Sequence, residues 1–197
     1  IREKYKSFPF LEFTGEAGAG KTSVLDFCWL LMGRENYEGI NPVTSTRVAR
    51  MRTLRQFSNM PTVYLEGQGD EKDAKQGQAV WLSEAKQLFN GISPRATGVM
   101  NSGNETSDEP FYGSLIVSQN RKIYGEAAVL GRFIYLHMTR DHHTPEGRQA
   151  SHRLNRLSVD DLSGFLMHAI MHEKEILSHH ASVYEEYHSQ IMSLEGI

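Results

Sequence analysis

Short apolar runs and longer stretches of helical apolar spacing take turns along this chain. Phe10-Leu-Glu-Phe13 reads as a buried strand. Val24, Leu25, Phe27, Cys28 and Leu31 then repeat with the period of a helix, which Gly33 stops. Residues 34–43 are loop-like, and Thr44-Ser-Thr46 caps a helix reaching about Phe57. Pro61-Thr-Val-Tyr-Leu-Glu66 predicts a second buried strand that ends in an acid, followed by a polar loop over 67–76. Gln78–Phe89 reads as a helix with Val80, Trp81, Ala85 and Leu88 on one face, closed by the turn signal Asn90-Gly91. Ile92–Pro110 is rich in Gly, Ser, Asn and Thr and predicts a projecting hairpin or loop. Phe111–Ser118 returns to a strand ending in Gln119-Asn120. A short helix around 126–130 and a strand at Phe133–Met138 follow. Strands alternating with helices predict an α/β fold with a mainly parallel central sheet.

From Asp141 the composition turns polar and helical. Thr144 caps a helix with Pro145 in its first turn, and Ser158-Val-Asp-Asp161 starts another. The apolar positions Leu162, Phe165, Leu166, Ala169, Ile170, Ile176 and Leu177 keep helical spacing towards Met192. The division expected is a core over 1–140 and a helical C-terminal extension over 141–197.

Composition narrows this picture. The chain has 197 residues, 39% hydrophobic and 23% charged, enough to bury a core. A net charge of −3 argues against a protein coated in positive charge, though a local nucleic-acid groove is compatible with it. The single cysteine, Cys28, allows no internal disulfide and fits a reducing, cytoplasmic setting. No signal peptide or membrane-spanning run is present, so no membrane partner is expected. The abrupt start at Ile1, almost on the first strand, suggests a piece of a longer protein. Arg47, Arg50, Arg52 and Arg55 lie on one helix and read as its solvated face, or else as a basic edge toward phosphate or a neighbouring subunit. His168 and His172 lie four apart, and His142-His143 and His179-His180 are doublets. Without a third convergent ligand they read as surface histidines, not as a zinc site.

The sharpest chemistry lies in the loop after the first strand. Gly15-x-x-x-x-Gly20-Lys21-Thr22 fits the phosphate-loop pattern, in the strand–loop–helix context that pattern requires. A chance glycine turn before a helix is the bland alternative, and the agreement of motif with context outweighs it. Glycines let consecutive N–H groups turn inward, and the helix start adds its positive dipole end. The expected nucleotide-binding set is Gly15, Glu16, Ala17, Gly18, Ala19, Gly20, Lys21, Thr22 and Ser23. Lys21 would reach the β- and γ-phosphates of ATP, and the Thr22 hydroxyl would hold Mg²⁺. Glu66, at a strand's C-terminal end, would orient the Mg²⁺ shell or polarise the attacking water. Asp70 is too far along the chain to pair with it.

The order of these parts resembles the superfamily 3 helicases and the related ATPase domains of phage and plasmid primase–helicases, over roughly residues 8–140. It runs from phosphate loop through acid-ended strand, a loop with Arg95 and a strand ending in Asn120, to Arg132 before a last strand. Trp81–Asn120 also looks like bacterial and prophage proteins that carry a toprim domain ahead of such an ATPase; in those proteins segments similar to Leu88-Phe-Asn-Gly91, Gly103-Asn-Glu-Thr106 and, beyond that stretch, His143-Thr-Pro-Glu-Gly147 recur. The resemblance implies an AAA+-like P-loop NTPase core, with ATP hydrolysis driving DNA unwinding or translocation in a homo-oligomeric ring. It implies Lys21, Glu66, Asn120 and Arg132 as catalytic residues, with Asn120 sensing the γ-phosphate and Arg132 acting as a finger in a neighbour's site. Thr22 and Glu66 would serve the metal, and the Arg95 region single-stranded DNA. Many members end the acid strand with two adjacent acids, whereas Gly67 follows Glu66 here. Either Glu66 suffices alone or the ATPase is slow. Three rivals stand beside this reading: a nucleotide-dependent structural switch with little hydrolysis, a P-loop phosphotransferase, and a plain DNA-binding module with a vestigial loop. The net charge speaks against the last.

Overall fold

A computed structural model describes residues 7–35, 39–57, 59–65, 81–93, 110–141, 143–162 and 164–194, and the backbone of 97–98 and 106–107. In chain order the elements are β1 (Phe10–Gly15), α1 (Lys21–Leu31), β2 (Gly39–Ile40), α2 (Arg47–Gln56), β3 (Pro61–Leu65) and a helix, α3, over 81–89. Then come β4 (Thr97–Gly98), β5 (Thr106–Ser107), β6 (Ser114–Ser118), α4 (Ala127–Leu130) and β7 (Phe133–Met138). The C-terminal helices are α5 (Pro145–Leu154), α6 (Val159–Leu162), α7 (Gly164–Met171) and α8 (Glu173–Met192). The fold is α/β. Five parallel strands form one sheet in the order β2-β3-β6-β1-β7. Each parallel pair needs a crossover, which is why strands and helices alternate in sequence. β4 and β5 pair antiparallel, Thr97 with Ser107, as the hairpin expected within 92–110 requires.

The predicted caps form. The Thr46 hydroxyl accepts the Ala49 N–H at 3.2 Å, and that of Thr144 accepts the Gly147 N–H at 3.1 Å. Gly33, at φ +74°, ends α1 while Arg34 N–H donates back to the Trp29 carbonyl. Gly91, at φ +71°, ends α3 in the same way, with Ile92 N–H on Gln87. The helix expected to run from Ser158 to Met192 is interrupted: α7 stops at Met171, and α8 restarts after His172.

Side chains alternate across β1, so Phe10, Glu12 and Thr14 share one face. Phe10 anchors the core there, edge-on to Phe133 at 5.5 Å and to Phe89 at 5.9 Å. Tyr64, Trp81, Leu88, Phe111 and Leu115 complete its centre. The arginine run on α2 is not solvated throughout. Arg50 is buried and grips Glu84 of α3 with two bonds, Nε to Oε2 at 3.2 Å and Nη2 to Oε1 at 2.9 Å. Its Nη1 also donates to the Pro42 and Ser45 carbonyls, while Arg52 remains exposed.

The described residues divide into two compact units, Ile1–Val24 with Glu38–Ser151 and Leu25–Tyr37 with His152–Ile197. The boundary after residue 140 read from composition is not the same as this division. Within the second unit α6, α7 and α8 hold no buried side chain. Among the described residues no helix is long and apolar enough to cross a membrane.

Candidate functional site

The loop 15–20 leaves β1, an interior strand next to the edge strand β7, at the carboxyl edge where open α/β sheets place their ligand crevices. Gly15 turns out of the strand at φ +144°, where an added Cβ would collide with the Met138 carbonyl of β7. Gly18 and Gly20, at φ +78° and +85°, adopt left-handed angles that favour glycine. The tip, Glu16 to Gly18, is exposed, whereas Ala19 is fully buried and seats the loop. α1 starts directly behind it at Lys21, so the positive end of that helix faces the loop.

Four consecutive loop carbonyls are held by side chains. Lys21 Nζ donates to Gly15 O at 2.8 Å and to Glu16 O at 2.9 Å. Arg140 donates to Ala17 O through Nε at 3.0 Å and also through Nη2. His143 Nε2 lies 3.1 Å from Gly18 O, and because a carbonyl only accepts, Nε2 must carry the proton. The Ala19 N–H closes the turn on the Glu16 carbonyl at 3.1 Å, so that carbonyl accepts from both Lys21 and the loop backbone.

Sheet register brings the distant partners in. β7 pairs with β1 up to Gly15 opposite Met138, so Arg140 leaves the sheet level with the loop. β6 ends with Ser118 opposite Phe13, and Gln119 N–H still donates to Phe13 O at 3.0 Å. Asn120 thus arrives beside Lys21, whose Nζ donates to its Oδ1 at 2.9 Å. Lys21 and Asn120, singled out 99 residues apart, meet. Glu16 pairs with Arg140 at 3.2 Å, which compensates a negative charge on the loop's rim. Thr22 is exposed on the first turn of α1, and Ser23 beside it is half-buried.

Below the loop, Glu12 is a buried acid in β1. Its Oε1 accepts the Ile123 N–H at 2.6 Å, and burial pushes its pKa above the usual carboxylate value. Thr14, also buried, contacts His137 Nδ1 at 3.3 Å.

Arg132 does not join this group within its own chain. It precedes β7, at the opposite edge of the sheet and about 20 Å from the loop by strand rise. Its Nη1 donates to the Ala128 carbonyl, and its guanidinium lies 5.3 Å from the Phe89 ring centre. Glu66 and Arg95 lie outside the described residues. Among the described residues no three His, Cys, Asp or Glu side chains converge as a metal site. His168 and His172 stack at 6.2 Å, and His172 engages Glu175.

Sequence reasoning missed Arg140, His143 and Glu12 as parts of this site. A signal for Arg140 was present, since it stands two residues beyond a strand at the sheet's carboxyl edge, the rule that singled out Glu66. Comparison with protein-family models gives no match, and comparison with curated proteins finds no significantly similar relative.

Proposed function

We propose that this chain contains the P-loop core of an ATP-hydrolysing motor, of the kind that unwinds or translocates DNA in superfamily 3 helicases. The observation that carries this reading is the junction at Lys21: one ammonium group bridges two carbonyls of a glycine loop and the side-chain oxygen of Asn120. Three neutral oxygens lie within hydrogen-bond distance of this ammonium. Phosphate oxygens are stronger acceptors because they are charged. ATP would therefore exchange these neutral acceptors for anionic ones and free the Asn120 amide to meet the γ-phosphate.

The remaining steps follow from what phosphoryl transfer needs: a cradle, a positioned water and positive charge near the γ-phosphate. The loop amides supply the cradle. Thr22, exposed beside them, and Glu66 offer oxygens to Mg²⁺, which when bound neutralises phosphate charge. Glu66 orients the water, Asn120 contacts the γ-phosphate, and Arg132 enters from a neighbouring copy. The loop around Arg95 is the candidate contact to single-stranded DNA. One feature favours a nucleotide switch with little hydrolysis: Gly67 follows Glu66 where a second acid would help activate water.

ATP turnover, measured with and without single-stranded DNA, tests the reading. Lys21→Ala is expected to bring turnover to background while the circular dichroism spectrum stays unchanged. Turnover in that variant equal to the parent's removes the proposal. ATP binding by the parent with no turnover selects the switch.

A further inference from the structure

A buried carboxylate on an interior strand of a parallel sheet needs a reason, because burying its charge is costly where an aliphatic residue would serve. Glu12 sits in β1 between β6 and β7 and is 2% exposed. Its Oε1 receives the Ile123 N–H at 2.6 Å. The Gln119 side chain also hydrogen-bonds to it, and Lys122 stands near enough to favour its charge. Four positions before Ile123, the Gln119 backbone N–H is fixed to the carbonyl of Phe13, next to Glu12, at 3.0 Å. Both ends of segment 119–123 are therefore tied to residues 12 and 13 of β1, the strand that runs into the glycine loop. Asn120 lies between these two ties, with its Oδ1 2.9 Å from Lys21 Nζ.

We propose that Glu12 is a positioning residue: by holding segment 119–123 to β1 it sets the height at which the Asn120 amide meets Lys21 and any phosphate bound there. This rests on the nucleotide reading for its consequence in turnover, but not for its geometry. What matters is the reach of the side chain. Its acceptor must extend to Ile123 N–H, and a neutral amide oxygen serves as well as a carboxylate. Small displacements of positioning groups cost turnover more than binding.

Glu12→Gln keeps the reach and removes the charge, while Glu12→Asp keeps the charge and shortens the reach. Both are close enough in size to fold. In the nucleotide-free, ¹⁵N-labelled chain, the side-chain amide resonances of Asn120 are expected to move in Glu12→Asp and to stay in place in Glu12→Gln. With ATP, Glu12→Asp is expected to lower kcat about tenfold with KM within about twofold, and Glu12→Gln to stay within about twofold of the parent. Adding Glu12→Asp to Asn120→Ala should cause no further loss, because the two act through one contact. Unmoved Asn120 resonances in Glu12→Asp overturn the proposal, as do losses that multiply in the double variant. A parent that neither binds nor turns over ATP would fell the nucleotide reading alone, since the nucleotide-free resonances still decide whether Glu12 sets Asn120.

Discussion

Glu16 carries a negative charge on the rim of the glycine loop, and Arg140 stands 3.2 Å from it. The same guanidinium holds the Ala17 carbonyl. On the proposed nucleotide reading, Arg140 compensates a charge that would repel phosphate and also holds the loop at Ala17. Losing it is expected to weaken binding of a fluorescent ATP analogue about tenfold at low salt, the scale of one hydrogen bond to a charged group. Adding Glu16→Ala to Arg140→Ala should recover part of that loss. A double variant as weak as the single one would mean that the Ala17 carbonyl matters and the rim charge does not. The backbone leaves less freedom: at Gly15 any side chain meets the Met138 carbonyl, so the first glycine of the motif is required by the packing of β1 against β7.

Between elements, the strongest polar tie of the core joins α2 to α3. Arg50 and Glu84 are both buried and bonded in a two-pronged pair, and Arg50 also satisfies the Pro42 and Ser45 carbonyls. Breaking one side strands the other charge in the core, so Glu84→Leu should destabilise by about 3–5 kcal/mol in urea unfolding. Replacing both partners with apolar residues often restores stability elsewhere. Here recovery in Arg50→Met/Glu84→Leu should be only partial, because two carbonyls lose their donor. Full recovery would show that water or a shifted backbone satisfies them.

At the scale of the molecule, Arg132 decides whether one chain suffices. It lies just before β7, about 20 Å from the glycine loop by strand rise, and within its own chain it is engaged with Ala128 and Phe89. A finger role therefore demands a neighbouring copy. Arg132→Ala and Lys21→Ala are each expected to be inactive alone, since such fingers contribute about 10³-fold or more to turnover. Mixed, they should regain part of the activity through interfaces that pair an intact Lys21 with an intact Arg132. No recovery between variants that assemble like the parent would remove the shared site. The second compact unit adds exposed apolar side chains on α7 and α8, among them Phe165, Ile170, Ile176 and Leu177.

Short windows of sequence determined the elements. Strands at 10–15, 61–65, 114–118 and 133–138, the caps at Thr46 and Thr144 and the helix stops at Gly33 and Gly91 were all legible. Each depends on interactions within a turn or two of the chain, or on apolar periodicity. The glycine loop was legible for the same reason, since its backbone angles are demanded locally. Tertiary structure decided what meets the loop. Arg140 reaches Ala17 across 123 residues, His143 reaches Gly18 across 125, and Glu12 reaches Ile123 across 111. No local pattern encodes those distances; they are set by β1 lying between β6 and β7. The same holds for Arg50, whose place on a helix was readable but whose burial depended on Glu84 of α3 arriving beside it. The apolar spacing of residues 162–177 was read correctly as helical, but periodicity gives only the face of a helix. Whether anything covers that face is set by packing, and Phe165 and Ile170 remain exposed.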